Sequence, residues 1–298
     1  MLKEIAEYQA RGEIDRVYHE IKQVLRVTGV DFPFRVWAGY GELLPVLWDA
    51  MRPNLETLAF EEAAGKLRAE GVRLAAELGN LDGLARVPLG ESQAWQIRAA
   101  LDLYHYINPK LLVMISAVRL AIEGERIGRA ESRGEPLIEL GIPEGMYPME
   151  MVEEDSANPV ISQTFDDIRR TLDLKKIGSD YRTLALWPHY LAPAWQRLKP
   201  IIQQAQHSQA AERMRRLSRE LALALPLELP LSAQRIEAAG ESARRALKLA
   251  RQFEQILPGL ILNMSLIALS WQPADALMIS PFPAKTRRER VVISGGRA

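Results

Sequence analysis

The sequence predicts an all-α protein, and three observations carry that prediction. Apolar residues recur at the helical period along most of the chain. No stretch alternates apolar and polar residues as a half-buried strand would. Proline and glycine punctuate the periodic runs, as at Pro45, Pro53, Pro109, Pro188, Pro193 and Pro258, and read as markers of helix ends.

Taken in order, the first run is IDRVYHEIKQVLRV (14–27). It sets Ile14, Val17, Tyr18, Ile21, Val24 and Leu25 on one face at i, i+3, i+4 spacing, the stripe of a helix with one buried side. FPFRVWAGY (32–40) opens a second helix, because Pro33 suits a first turn where its missing N–H is harmless. Periodic runs follow at 55–78 and 92–106, the latter introduced by GES (90–92), a helix N-terminus signal. YINPKLLVMISAV (106–118) reads as a new helix with Asn108 as cap and Pro109 in its first turn. IGRAESRGEPLIELGIPEGMYPME (127–150) is rich in Gly, Pro and Glu and reads as a crossing linker. GSDYRTLALW (178–187) opens a helix, with Ser179 as cap and Asp180 in the first turn, where exposed amides favour a carboxylate. Further helical runs cover 210–225 and 243–256. KTRRERVVISGGRA (285–298) is charged, then Gly-rich, and should lie outside the core.

The totals exclude several classes. A length of 298 residues suits two domains of ordinary size, and 48% hydrophobic residues argues against disorder. Lys and Arg (38) balance Asp and Glu (38), so neither nucleic acid nor a membrane surface is indicated as a partner. There is no cysteine, which removes disulfides, thiolate nucleophiles and Cys-based metal sites. His19, His105, His189 and His207 are scattered without zinc-ligand spacing, so no metal site is expected. The N-terminus is charged throughout, unlike a signal peptide, and the longest apolar run (257–271) is short for a membrane span. The reading is a soluble, cytoplasmic protein.

The chain also repeats itself. Shifted by 147 positions, residues 14–53 align with 161–200 without a gap. Ile21/Ile168, Leu25/Leu172, Arg35/Arg182, Trp48/Trp195 and Pro53/Pro200 are identical; Glu20/Asp167 and Arg52/Lys199 are alike in kind. GES recurs at 240–242, and NPKLLVMIS (108–116) matches LPGLILNMS (257–265). The expected organisation is therefore two tandem helical repeats, 1–125 and 148–275, packed as a pseudo-dimer, with a linker at 126–147 and a C-terminal tail at 276–298. A homodimer of whole chains is compatible with this.

A repeat is its own control. Polar groups present in only one copy are not required by the fold. Two such positions stand out: Asp180 against Pro33, and Asn108 against Leu257. Each has a plain reading, a helix-start carboxylate and a helix cap. Each is also chemistry the other copy does without.

These same segments resemble a known family. YINPKLLVMISAV and GSDYRTLALWPHYLAP, with VYHEIKQVLRVTGVDFPFRVWA and SPFPA (280–284), are similar to signatures of the group I 2-haloacid dehalogenases, the DehI-type family. The resemblance spans about residues 10–284 in order. It implies an all-helical pseudo-dimer that needs no metal or organic cofactor. It also implies hydrolysis of short 2-haloalkanoic acids, D and L, to 2-hydroxyalkanoic acids with inversion at C2. Asp180 falls on the family's essential acid and Asn108 on its water-positioning amide, while Ser179, Tyr106 and Phe32 fall on pocket residues. Two positions depart: Gly29 stands where a pocket Trp is expected, and Leu186 where Asn is expected. Two alternatives stay open: another cofactor-free hydrolase or lyase of small carboxylic acids on this scaffold, or a non-catalytic helical protein that binds a small acid.

Overall fold

The computed structural model describes residues 3–129 and 134–287. Its regular elements are helices, and strand-like pairing among the described residues is confined to isolated bridges. In chain order they are α1 (Gly12–Leu25), α2 (Phe32–Ala38), α3 (Leu43–Leu55), α4 (Leu58–Leu78), α5 (Glu91–Ile122) and α6 (Pro159–Leu172). The rest are α7 (Ser179–Leu184), α8 (Pro188–Ile202), α9 (Ala205–Leu223), α10 (Ala233–Ala238), α11 (Ala243–Ala268) and α12 (Ala274–Met278). The fold is all-α, as the periodicity predicts.

At the centre, α4, α5, α9 and α11 each pack on the other three. One flank is built from α1, α2 and α3, the other from α6, α7 and α8. The apolar stripe of α1 does what its spacing requires: Val17, Tyr18, Ile21, Val24 and Leu25 are all buried, each contributing about 1.5–3 kcal/mol by leaving water.

The two flanks share local details at positions 147 apart. Trp48 Nε1 donates to Glu20 at 2.8 Å, and Trp195 Nε1 donates to Asp167 at 2.8 Å. Both indoles are buried, so each acid satisfies a donor that the core would otherwise strand. α1 and α6 each end on a non-glycine residue in the left-handed region, Arg26 (φ 60°) and Asp173 (φ 51°). Their amides donate to the carbonyls of Lys22 and Arg169, closing the last turn.

Several helix ends differ from the sequence reading. Pro53, Pro109, Pro193 and Pro258 lie inside helices. Asn108 is therefore not a cap, and α5 and α11 run straight through Asn108 and Leu257. At Pro109 the reason is visible. Proline cannot donate to the carbonyl of residue 105, and the buried Arg68 supplies the donor instead, with Nε 3.2 Å from His105 O. At α7 the cap is Gly178, not Ser179, so Ser179 and Asp180 occupy the first two helical positions.

The described part of the expected linker is docked. Arg129 N–H donates to Pro226 O at 3.1 Å, and Leu229 N–H to Ile127 O at 3.1 Å. On the other side Leu58 N–H donates to Pro136 O at 2.7 Å, and Ile138 N–H to Glu56 O at 2.9 Å. Gly128 makes this possible: at φ +71° it lies against Leu227, whose carbonyl oxygen would be 1.9 Å from any Cβ. The start of the basic tail also pairs, Arg287 N–H donating to Leu137 O at 2.7 Å. Residues 288–298 of that tail lie outside the described residues.

Candidate active site

The short helix α7 and the long helix α5 meet at one polar contact. Asn108 Nδ2 donates to Asp180 Oδ1 at 2.8 Å. Both residues are only 3% exposed, so the Asn108 amide is the side-chain partner of a buried carboxylate. Burial pushes the Asp180 carboxyl up to about 6, opposed by the hydrogen bond from Asn108 and by one from a backbone N–H. Gly178 leaves room beside the second oxygen: a Cβ there would lie 3.7 Å from Asp180 Oδ2.

Neighbouring groups fix the two helices. Tyr104, one turn before Asn108, shares a 2.7 Å hydrogen bond with Thr183 Oγ1, and Thr183 donates to Glu150 O at 3.1 Å. Tyr181, next to Asp180, accepts from Asn263 Nδ2 at 2.9 Å, and Asn263 Oδ1 is 2.9 Å from His207 Nε2. Asp180 therefore rests on a helix held from α5, α9 and α11.

A second carboxyl faces the same region. Asp31, half-buried, precedes α2, and its side chain makes no capping bond. Burial pushes its carboxyl up to about 7; Arg35 opposes that rise and the Asp180 charge adds to it. Arg35 is itself held by Val30 O at 3.0 Å and by Glu4. The sequence reading missed Asp31, although the repeat contained the signal: its counterpart 147 positions on is Gly178.

The remaining expected pocket residues divide. Ser179 and Phe32 are the first residues of α7 and α2, both half-buried. Phe32 meets Phe253 edge-on at 6.0 Å, with Lys176 Nζ and the Arg35 guanidinium 5.9 and 5.8 Å from its ring centre. Tyr106 lies elsewhere. Two residues from Asn108 on a helix, it points to the opposite face. Its hydroxyl accepts from Lys110 Nζ at 2.5 Å, and its ring packs on Phe282. Leu186 is exposed, and Gly29 lies beside Glu7, whose carboxylate accepts from Val30 N–H at 2.8 Å. Among the described residues, no group of three or more His, Cys, Asp or Glu side chains could hold a metal.

A buried carboxylate with a raised proton affinity, aimed by an amide, is the equipment of a proton-accepting enzyme site. Comparison with known proteins gives the class. Residues 29–181 match the family model described as halocarboxylic acid dehydrogenase DehI. A configuration-inverting 2-haloacid dehalogenase of Pseudomonas sp. (strain 113) is 30% identical over 224 residues, 73% of this chain and 73% of that protein. An (R)-2-haloacid dehalogenase of Pseudomonas putida is 29% identical over 281 residues, covering 89% of this chain and 91% of that one. A solved structure of a D-2-haloacid dehalogenase mutant in complex with D-2-CPA superposes with a TM-score of 0.83 at 27% identity, over 91% of this chain and 96% of that one. The chain belongs to the DehI family and is an enzyme of that family.

Proposed function

We propose that this chain hydrolyses short 2-haloalkanoic acids, D and L, to 2-hydroxyalkanoic acids by direct attack of water on C2. The observation that carries this reading is the buried Asn108–Asp180 contact. Because Asn108 commits its Nδ2 to the carboxylate, its carbonyl oxygen is left to accept one hydrogen of a water. Asp180 takes the other as a proton. The oxygen lone pair then points to C2, the C–O bond forms as the carbon–halogen bond breaks, and halide leaves from the opposite side with inversion. The ledger is one water in, with one halide and one proton out. A carboxylate with pKa about 6 is a stronger base than one in water and is still mostly ionised at neutral pH. Phe32 offers an apolar wall to the halogen, and Ser179 a hydroxyl to the substrate carboxylate.

The same reading takes the chain as two tandem helical repeats, 1–125 and 148–275, packed as a pseudo-dimer. The matched Trp–acid pairs and left-handed helix ends support it. The position equivalent to the Asn108–Asp180 pair holds Leu257 and Pro33, which can neither accept a proton nor orient water, so each chain has one active site. Halide release from D- and L-2-chloropropanoate, with the Asp180→Asn variant as control, tests the activity. Release by the native chain and none by the variant supports it. No release from either enantiomer contradicts it.

A further inference from the structure

A cationic groove shares no lining residue with the Asp180 site. It has a volume of about 440 Å³ and is lined by Tyr40, Lys175, Ser242, Arg244, Arg245, Lys248, Leu249 and Gln252. Four of these carry positive charge and none carries negative charge. The imbalance is local, because the chain as a whole balances 38 against 38. Cations next along these segments are neutralised: Lys176 by Glu4 and Arg251 by Glu123. Lys175, Arg244, Arg245 and Lys248 have no ion pair among the described residues. The nearest acid on the same turn, Glu241, is not in the lining and accepts from Glu42 N–H at 3.0 Å.

The groove has more than charge. Arg245 lies over the Tyr40 ring at 4.9 Å, which fixes a planar guanidinium instead of leaving it free in solvent. The 26-residue helix α11 begins here, capped by Ser242, so the positive end of its dipole adds to the side-chain charge. The space far exceeds what a short haloacid needs, and four cations exceed what one carboxylate neutralises. Guanidinium groups match the paired oxygens of phosphate.

We propose that this groove binds a small phosphate-bearing anion, on residues other than the Asp180 pair and independently of the dehalogenase reading. Isothermal titration with inorganic pyrophosphate, at about 0.15 M ionic strength, should show one saturable site. Replacing Arg245→Gln together with Lys248→Gln should weaken binding about tenfold or more. Removing two exposed cations elsewhere, Lys66→Gln together with Arg86→Gln, should leave it within about twofold. Asp180→Asn should bind pyrophosphate as the native chain does. All four positions are exposed, so native melting curves are expected for both pairs and confirm that folding is not the variable. Absence of saturable binding, equal weakening by both pairs, or loss of binding in Asp180→Asn would each overturn the proposal. So would capture of a single-stranded oligonucleotide by a chain that does not bind pyrophosphate.

Discussion

Burial holds the Asp180 carboxyl in a state that costs stability. The carboxyl is raised in the folded chain, to about 6, above its value in the unfolded chain. A raised carboxyl binds its proton more tightly when folded. Its contribution therefore falls as pH rises between the two values, by about 3 kcal/mol for a shift near two units. Asp180→Asn removes that loss and should melt no lower than the native chain at pH 7, while halide release falls at least about a hundredfold. A large drop in melting temperature with activity retained would mean that Asp180 only holds α7. The same values set a pH profile. Asp180 must be ionised to accept a proton, so kcat/KM should fall below about pH 6. Asp31, raised to about 7, repels an anionic substrate once ionised, so KM should climb above that pH. Asp31→Asn should flatten the alkaline limb and leave the acid limb in place.

At the scale of the helix, α5 was harder to read than its neighbours. Asn108–Pro109 has the local chemistry of a helix start, and sequence alone divides α5 there. What overrides it is a tertiary contact, the donor that Arg68 brings to His105 O from α4. No local rule contains a partner 37 residues away. The contact is testable as a coupling. Arg68→Met should destabilise the chain by about 1–3 kcal/mol, since it strands a buried carbonyl. In a Pro109→Ala background the restored N–H serves that carbonyl, and Arg68→Met should cost measurably less. Equal costs in both backgrounds, read by urea denaturation, would mean that Arg68 acts only through its place over the Tyr106 ring, 5.9 Å from its centre. The amphipathic helices, by contrast, were legible because their signal is their own burial. Val17 to Leu25 shows it: the stripe written in the sequence is the stripe buried in the structure.

Across the whole molecule, the internal repeat points to more of the candidate site than any local motif does. It isolated Asn108 and Asp180, which the fold brings to 2.8 Å. Applied one step further it would have found Asp31 opposite Gly178. It said nothing useful of Tyr106, whose place depends on which face of α5 turns to α7, and a helix-wide register is not a property of two residues. If the equivalent mouth at Leu257 and Pro33 is inert, Asp180→Asn should bind one equivalent of 2-chloropropanoate per chain when pyrophosphate fills the cationic groove; two equivalents would contradict a single site. The central claim is that water, not Asp180, attacks C2. The alternative is an ester between Asp180 and C2, whose hydrolysis at the acyl carbon gives the same net inversion, so stereochemistry does not separate them. A single turnover in heavy-oxygen water, with enzyme in excess, does. Direct attack predicts the label in the new hydroxyl of the 2-hydroxyalkanoate. Unlabelled product, with the label appearing in the Asp180 carboxyl, would contradict it.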